Sequence, residues 1–140
     1  MAKAKQSVAK SEFVQRNLEA GLERLAIASA AGERAVEIRG RDGKKLAVAV
    51  KRLAKRRASL IRRKKLAATR VRKSPSGETR KALRTAVREL AGTNKELGKA
   101  RASKAANAVE FAALRLAQRR ASGYARAIAQ VDRALGTASA

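Results

Sequence analysis

A mainly α-helical fold is what this sequence predicts: three to five elongated, Ala-rich helices, with one β-hairpin near residues 35–50. Three observations carry it. Alanine supplies 33 of the 140 residues, and it favours helix because it loses no side-chain entropy there. Leu, Ile and Val recur at spacings of three and four over most of the chain, which gathers them on one helical face. Proline occurs once, so a single position forbids helix outright. Leu, Ile, Val and Phe together make only 28 residues, 20% of the chain, which is the border at which highly charged sequences stop folding alone. Well-specified helices with a thin core are expected.

Residues 1–33 read as a charge-balanced amphipathic helix. Ser11 followed by Glu12 has the form of an N-cap, Val14, Leu18, Leu22 and Leu25 mark one face, and Gly32 reads as the stop. Five basic and four acidic residues share this segment. Residues 34–77 form a strongly basic hairpin and helix. Val36 and Ile38 alternate before Arg41-Asp42-Gly43, and Leu46, Val48 and Val50 alternate after it. A three-residue loop with Gly43 in the left-handed position of a bulge pairs Ile38 with Leu46. A helix from Leu46 competes with that reading, because Leu46, Val50, Leu53, Leu60, Ala67 and Val71 keep helical spacing; the hairpin can also pass straight into the helix.

That helix is expected to end at Lys73, before Ser74-Pro75-Ser76-Gly77, where the proline forces a turn and Ser76 can cap the next helix. Residues 78–140 read as a helical hairpin or one long bent helix. Leu83, Val87 and Leu90 lead to a stop at Gly92, and Thr93 to Glu96 has the spacing of a capping box that restarts the helix. Ser122-Gly123 is a candidate bend. The three segments are expected to make one structural domain or assembly unit.

Several function classes are excluded by composition. Cysteine and histidine are absent, which removes disulfides, zinc fingers, thiol nucleophiles and imidazole bases together. No apolar run approaches the roughly 18 residues of a membrane span, and the first residues lack the apolar stretch of a secretory signal. The eleven acidic residues are scattered, and neither GxxxxGK[ST] nor GxSxG occurs. A non-enzymatic protein without metal or cofactor is the expectation.

Charge gives the strongest signal. The net charge is +24, and residues 34–77 hold seventeen basic and two acidic side chains of that total, a surplus of +15. Between Asp42 and Glu78 fourteen Lys or Arg occur without one acid. On a wheel at 100° per residue, Leu53, Leu60, Ala67 and Val71 form a narrow apolar seam that Arg57 and Lys64 interrupt. Lys51, Arg52, Lys55, Arg56, Arg62 and Arg63 occupy the opposite half. Lys44, Lys45, Lys65, Arg70, Arg72 and Lys73 complete the candidate nucleic-acid-binding set. Such a surface repels itself, and a polyanion removes that penalty.

Double-stranded DNA is favoured over RNA as the partner. Duplex DNA carries about one charge per 1.7 Å of axis, and Arg forms bidentate bonds to phosphate. Base stacking on single strands is disfavoured, because Phe13, Phe111 and Tyr124 all lie outside the basic block. Membrane binding is disfavoured too, since the apolar seam is narrow and lacks aromatics. The expected function is therefore sequence-nonspecific coating or packaging of DNA, in a bacterial cytoplasm or nucleoid or inside a phage particle, with a homo-oligomer or larger assembly allowed. RNA scaffolding of the ribosomal kind, and a virion or assembly protein packing on acidic subunits, are the alternatives.

Overall fold

The computed structural model describes the backbone of residues 2–139 and the side chains of 10–136. Two helices account for it: α1, Ala2–Lys73, and α2, Gly77–Ser139. The fold is mainly α, with two helices in place of the three to five expected, and no strand occurs among the described residues.

The break between them falls where proline puts it. Ser76 caps α2: its Oγ accepts from the Thr79 amide at 3.2 Å, while the Ser76 amide donates to Thr79 Oγ1 at 2.9 Å. This is a reciprocal capping box with Thr in the third position. On the other side, the Ser74 amide still donates to the Arg70 carbonyl at 2.8 Å. Arg70, Arg72 and Lys73 in the last turn of α1, and Glu78 in the first turn of α2, have the signs that the helix dipoles favour.

The chain divides into two compact units: Arg39–Glu110, which contains the turn, and Met1–Ile38 with Phe111–Ala140. In the turn unit the helices run antiparallel. Arg63 meets Glu89, Arg57 meets Asn94, and Arg39 meets Asn107 and Glu110. On α2 the least exposed positions are Thr79, Leu83, Ala86, Leu90, Thr93, Leu97, Ala100 and Asn107. From Thr79 to Ala100 their spacings alternate between four and three, and Asn107 follows one heptad on, the signature of a coiled-coil seam. With Leu83, Leu90 and Leu97 at position a, the d positions hold Ala86, Thr93, Ala100 and Asn107. On α1, Gly43, Val50, Arg57, Lys64 and Val71 take a, and Arg39, Leu46, Leu53, Leu60 and Ala67 take d. Only Leu60, Ala86, Thr93, Leu97 and Asn107 are buried among the described residues. Two helices side by side hide one stripe each.

The expected β-hairpin is replaced by uninterrupted α1 helix, and the reason lies on α2. Gly43 is a notch, not a turn. A β-carbon there would sit 3.1 Å from Asn107 Nδ2, and through that gap Asn107 donates to the Arg39 carbonyl at 3.1 Å. The alternating apolar residues separate accordingly: Val36, Leu46 and Val50 are half-buried, while Ile38 and Val48 are 57% and 56% exposed.

Other expected boundaries also dissolve. Ser11 lies inside α1, and α2 runs through Gly92 and Ser122-Gly123. Thr93, expected as a cap, is a seam residue at 3% exposure.

In the other unit no described side chain is fully buried. Leu22, Leu25, Phe111, Leu114 and Ile128 are half-buried. Gly32, expected as a helix stop, makes room for Gln118, whose Oε1 is buried without a hydrogen-bond partner and whose Nε2 donates to Ser122 at 3.0 Å. On the exposed surface Arg120 donates to the Tyr124 hydroxyl at 3.4 Å.

Two glycines should therefore answer oppositely to substitution. Gly92 meets open space, so Gly92→Ala raises stability by about 0.5–1 kcal/mol through helix propensity. Gly43→Leu expels Asn107 and lowers stability by about 2 kcal/mol, the scale of a buried polar group losing its partners; urea unfolding of both variants measures this. Separately, the hydrogen bond from Arg120 and its charge hold the Tyr124 phenol below its ordinary pKa. As the only tyrosine, it gives a clean ultraviolet tyrosinate titration, which Arg120→Gln should move to higher pH.

Candidate nucleic-acid interface

All fourteen cations of the basic block lie on α1 between Lys44 and Lys73, and every one is exposed. An unbroken helix presents them at fixed spacing. Their angular positions are less uniform than the sequence suggests. Lys44, Lys51, Lys65 and Arg72 take heptad position b, Lys45, Arg52 and Lys73 take c, Lys55 and Arg62 take f, and Arg56, Arg63 and Arg70 take g. The seam positions Arg57 and Lys64 complete the set.

Folding onto α2 changes the electrostatics of this block. Its fourteen cations have no acid neighbour in sequence, but α2 brings some alongside. Arg63 lies 3.8 Å from Glu89, with both side chains largely in water. One groove gathers Arg63 and Arg70 with Glu78, Ala82 and Glu89. A second gathers Asp42 and Glu110 with Arg39, Lys45 and Asn107, and Arg39 is ion-paired to Glu110. Exposed pairs of this kind contribute at most about 1 kcal/mol each, so they orient side chains more than they stabilise the hairpin.

The seam cations were visible as interruptions in the sequence, and their behaviour is visible in the structure. By register Arg57 shares a layer with Thr93, and Lys64 shares one with Ala86. Both partners are small and buried, so long aliphatic stems can cover them while the charged ends reach water. The Arg57 Nε donates to Asn94 Oδ1 at 2.7 Å, which fixes the direction of that guanidinium.

Sequence reasoning missed two features of the site. The first is the set of cations that α2 adds to the same unit, among them Arg80, Arg84, Arg101 and Lys104. The second is the placement of the acids, which a seven-residue spacing from Glu89 to Glu96, and fourteen more to Glu110, could have disclosed. Among the described residues no cluster of three or more His, Cys, Asp or Glu could hold a metal ion, and no helix is long and apolar enough to cross a membrane. Comparison with protein-family models, with curated proteins and with solved structures gives no match to this chain.

The seam cations set stability against charge. Replacing Arg57 and Lys64 by Leu fills two interrupted layers and removes two charges from a self-repelling helix. The double variant should gain about 1–2 kcal/mol in urea unfolding. A loss of stability would show that the stems of Arg57 and Lys64 pack as well as leucine does.

Proposed function

We propose that this is a non-enzymatic structural protein that binds nucleic acid with little sequence preference, coating or packing double-stranded DNA. One observation carries the reading: fourteen exposed cations within thirty residues of one helix, without an acid among them. At about 1.5 Å rise per residue that is roughly one positive charge every 3 Å of helix, comparable with a duplex's one negative charge per about 1.7 Å. Neutralising phosphates releases condensed counterions and relieves the repulsion along α1.

The remaining features fit backbone contact better than base reading. Aromatic side chains, which stack on unpaired bases, are absent from the block. The charged groups are spread along the whole helix, which suits contact with successive phosphates. Abundant Ala and Arg suit a bacterium with GC-rich DNA or its phage, so a nucleoid or a phage interior is the proposed setting.

Salt dependence tests the reading. With about eight cations on phosphates, log Kobs against log salt should slope near −7 for any random duplex. A slope near −1, or strong discrimination among random duplexes, would remove the proposal.

A further inference from the structure

The turn unit is two-faced, and its two faces differ in one respect that bears directly on a polyanion. In an antiparallel pair of helices, positions e and b of both form one flank, and g and c of both form the other. The observed contacts agree: Arg63 at g meets Glu89 at g, and Arg57 at a leans to Asn94 at e. All five acidic residues of Arg39–Glu110 take g or c: Asp42, Glu89, Glu96 and Glu110 at g, and Glu78 at c. The grooves agree for four of them, since Glu78 with Glu89, and Asp42 with Glu110, line common walls.

The opposite flank holds none. Lys44, Lys51, Lys65 and Arg72 reach it from α1. Arg80, Arg84 and Arg101 reach it from α2. The exposed seam cations Arg57, Lys64 and Lys104 all take a, the seam position next to e, whereas Arg39 takes d and pairs with Glu110. Counted by position, the a, b and e residues carry ten cations and no acid, while the c, d and g residues carry eight cations and five acids. Between the cations of the first flank most side chains are small, among them Ala47, Ala54, Ala91, Gly98 and Ala105, with Ile61 and Val87 the larger exceptions.

We infer that the acid-free e/b flank of the turn unit, built from both helices, is the surface that faces the DNA backbone, and that the c/g flank faces away from it. This rests on the DNA-coating reading above. It also goes beyond the sequence alone, which puts all fourteen candidate cations on α1. A rigid duplex cannot wrap the whole hairpin, so it takes the side of higher potential. The five acids raise the energy of the other approach and set the protein's orientation on DNA.

The test compares two quadruple neutralisations on a random-sequence duplex. Lys51→Gln, Lys65→Gln, Arg84→Gln and Arg101→Gln clear the e/b flank; Lys45→Gln, Arg52→Gln, Arg70→Gln and Lys99→Gln remove the same number and kinds of charge from the c/g flank. All eight positions are exposed. The first set should weaken binding by at least about 100-fold near 0.1 M salt and make the salt slope shallower by about 3 to 4. The second set should change affinity by less than about fivefold and the slope by less than about 1. Circular dichroism at the same salt verifies that both remain helical. Should either quadruple variant lose helix, the pair Arg84→Gln and Arg101→Gln decides, since it touches α2 alone: a slope shallower by about 2 supports the flank, and an unchanged slope overturns it. Equal losses from the two quadruple sets, with a steep wild-type slope, overturn the flank assignment and leave DNA binding standing. A shallow wild-type slope removes DNA binding itself.

Discussion

A two-helix pair can hide only one stripe of each helix, and every other property of the turn unit depends on that limit. The stripe must serve both as core and as register, yet it is supplied mainly by Leu at a on α2 and small residues at d. By register Leu60 faces Leu90 and Leu97 faces Leu53, while the small d residues of α2 face Val50, Arg57 and Lys64. Leu60 and Leu97 are nearly sealed, at 2% and 3% exposure, whereas Val50 and Ala100 are half-covered. Gly43 takes the same logic to its end, since an absent side chain on one helix is what lets a polar one, Asn107, reach the backbone of the other. That contact is also directional. A hydrogen bond to one named carbonyl fixes the register in a way that sliding leucines do not.

The same limit explains how the charge is tolerated. A globular core would have to bury part of so basic a surface, whereas a paired-helix seam leaves nearly all cations in water, where their repulsion is weakest. Even the seam cations Arg57 and Lys64 are exposed, and the small buried partners Thr93 and Ala86 leave room for their stems. Glu89 and Glu110 offset a little of the repulsion locally through Arg63 and Arg39. The uncompensated remainder is concentrated on one flank, and this concentration turns net charge into a surface with a direction.

Much of this was legible from the residues. The turn at Ser74-Pro75-Ser76, the cap by Ser76, the end of the basic helix at Lys73 and the interruption of its seam at Arg57 and Lys64 all follow from local chemistry, which a short window of sequence contains. The misreadings have one origin. Glycine in a helix interior and glycine in a turn look alike until the partner helix is known, and Gly43 and Gly32 are explained only by Asn107 and Gln118, far away in the chain. Thr93 misleads for the same reason, because a cap and a small seam residue share a residue type. The candidate cations were legible as a composition, but their sidedness was not, since it depends on where α2 sets its acids against α1.

The antiparallel register also has a consequence for how the turn unit comes to be. Contacts near the turn join residues close in sequence, as Arg63 and Glu89 are, while Arg57 and Asn94 lie 37 residues apart, and Arg39 and Asn107 lie 68 apart. Each doubling of the enclosed loop adds about 0.6 kcal/mol of closure entropy, so the entropic order of closure runs outward from the capped turn like a zipper. Once Ser76 has organised the first turn of α2, each further layer encloses only a slightly longer loop than the one before it, and the chain meets no large entropic step until Asn107 finds its notch. A DNA duplex held along the flank would act on this sequence of events as a rail, joining layers in the order in which they form.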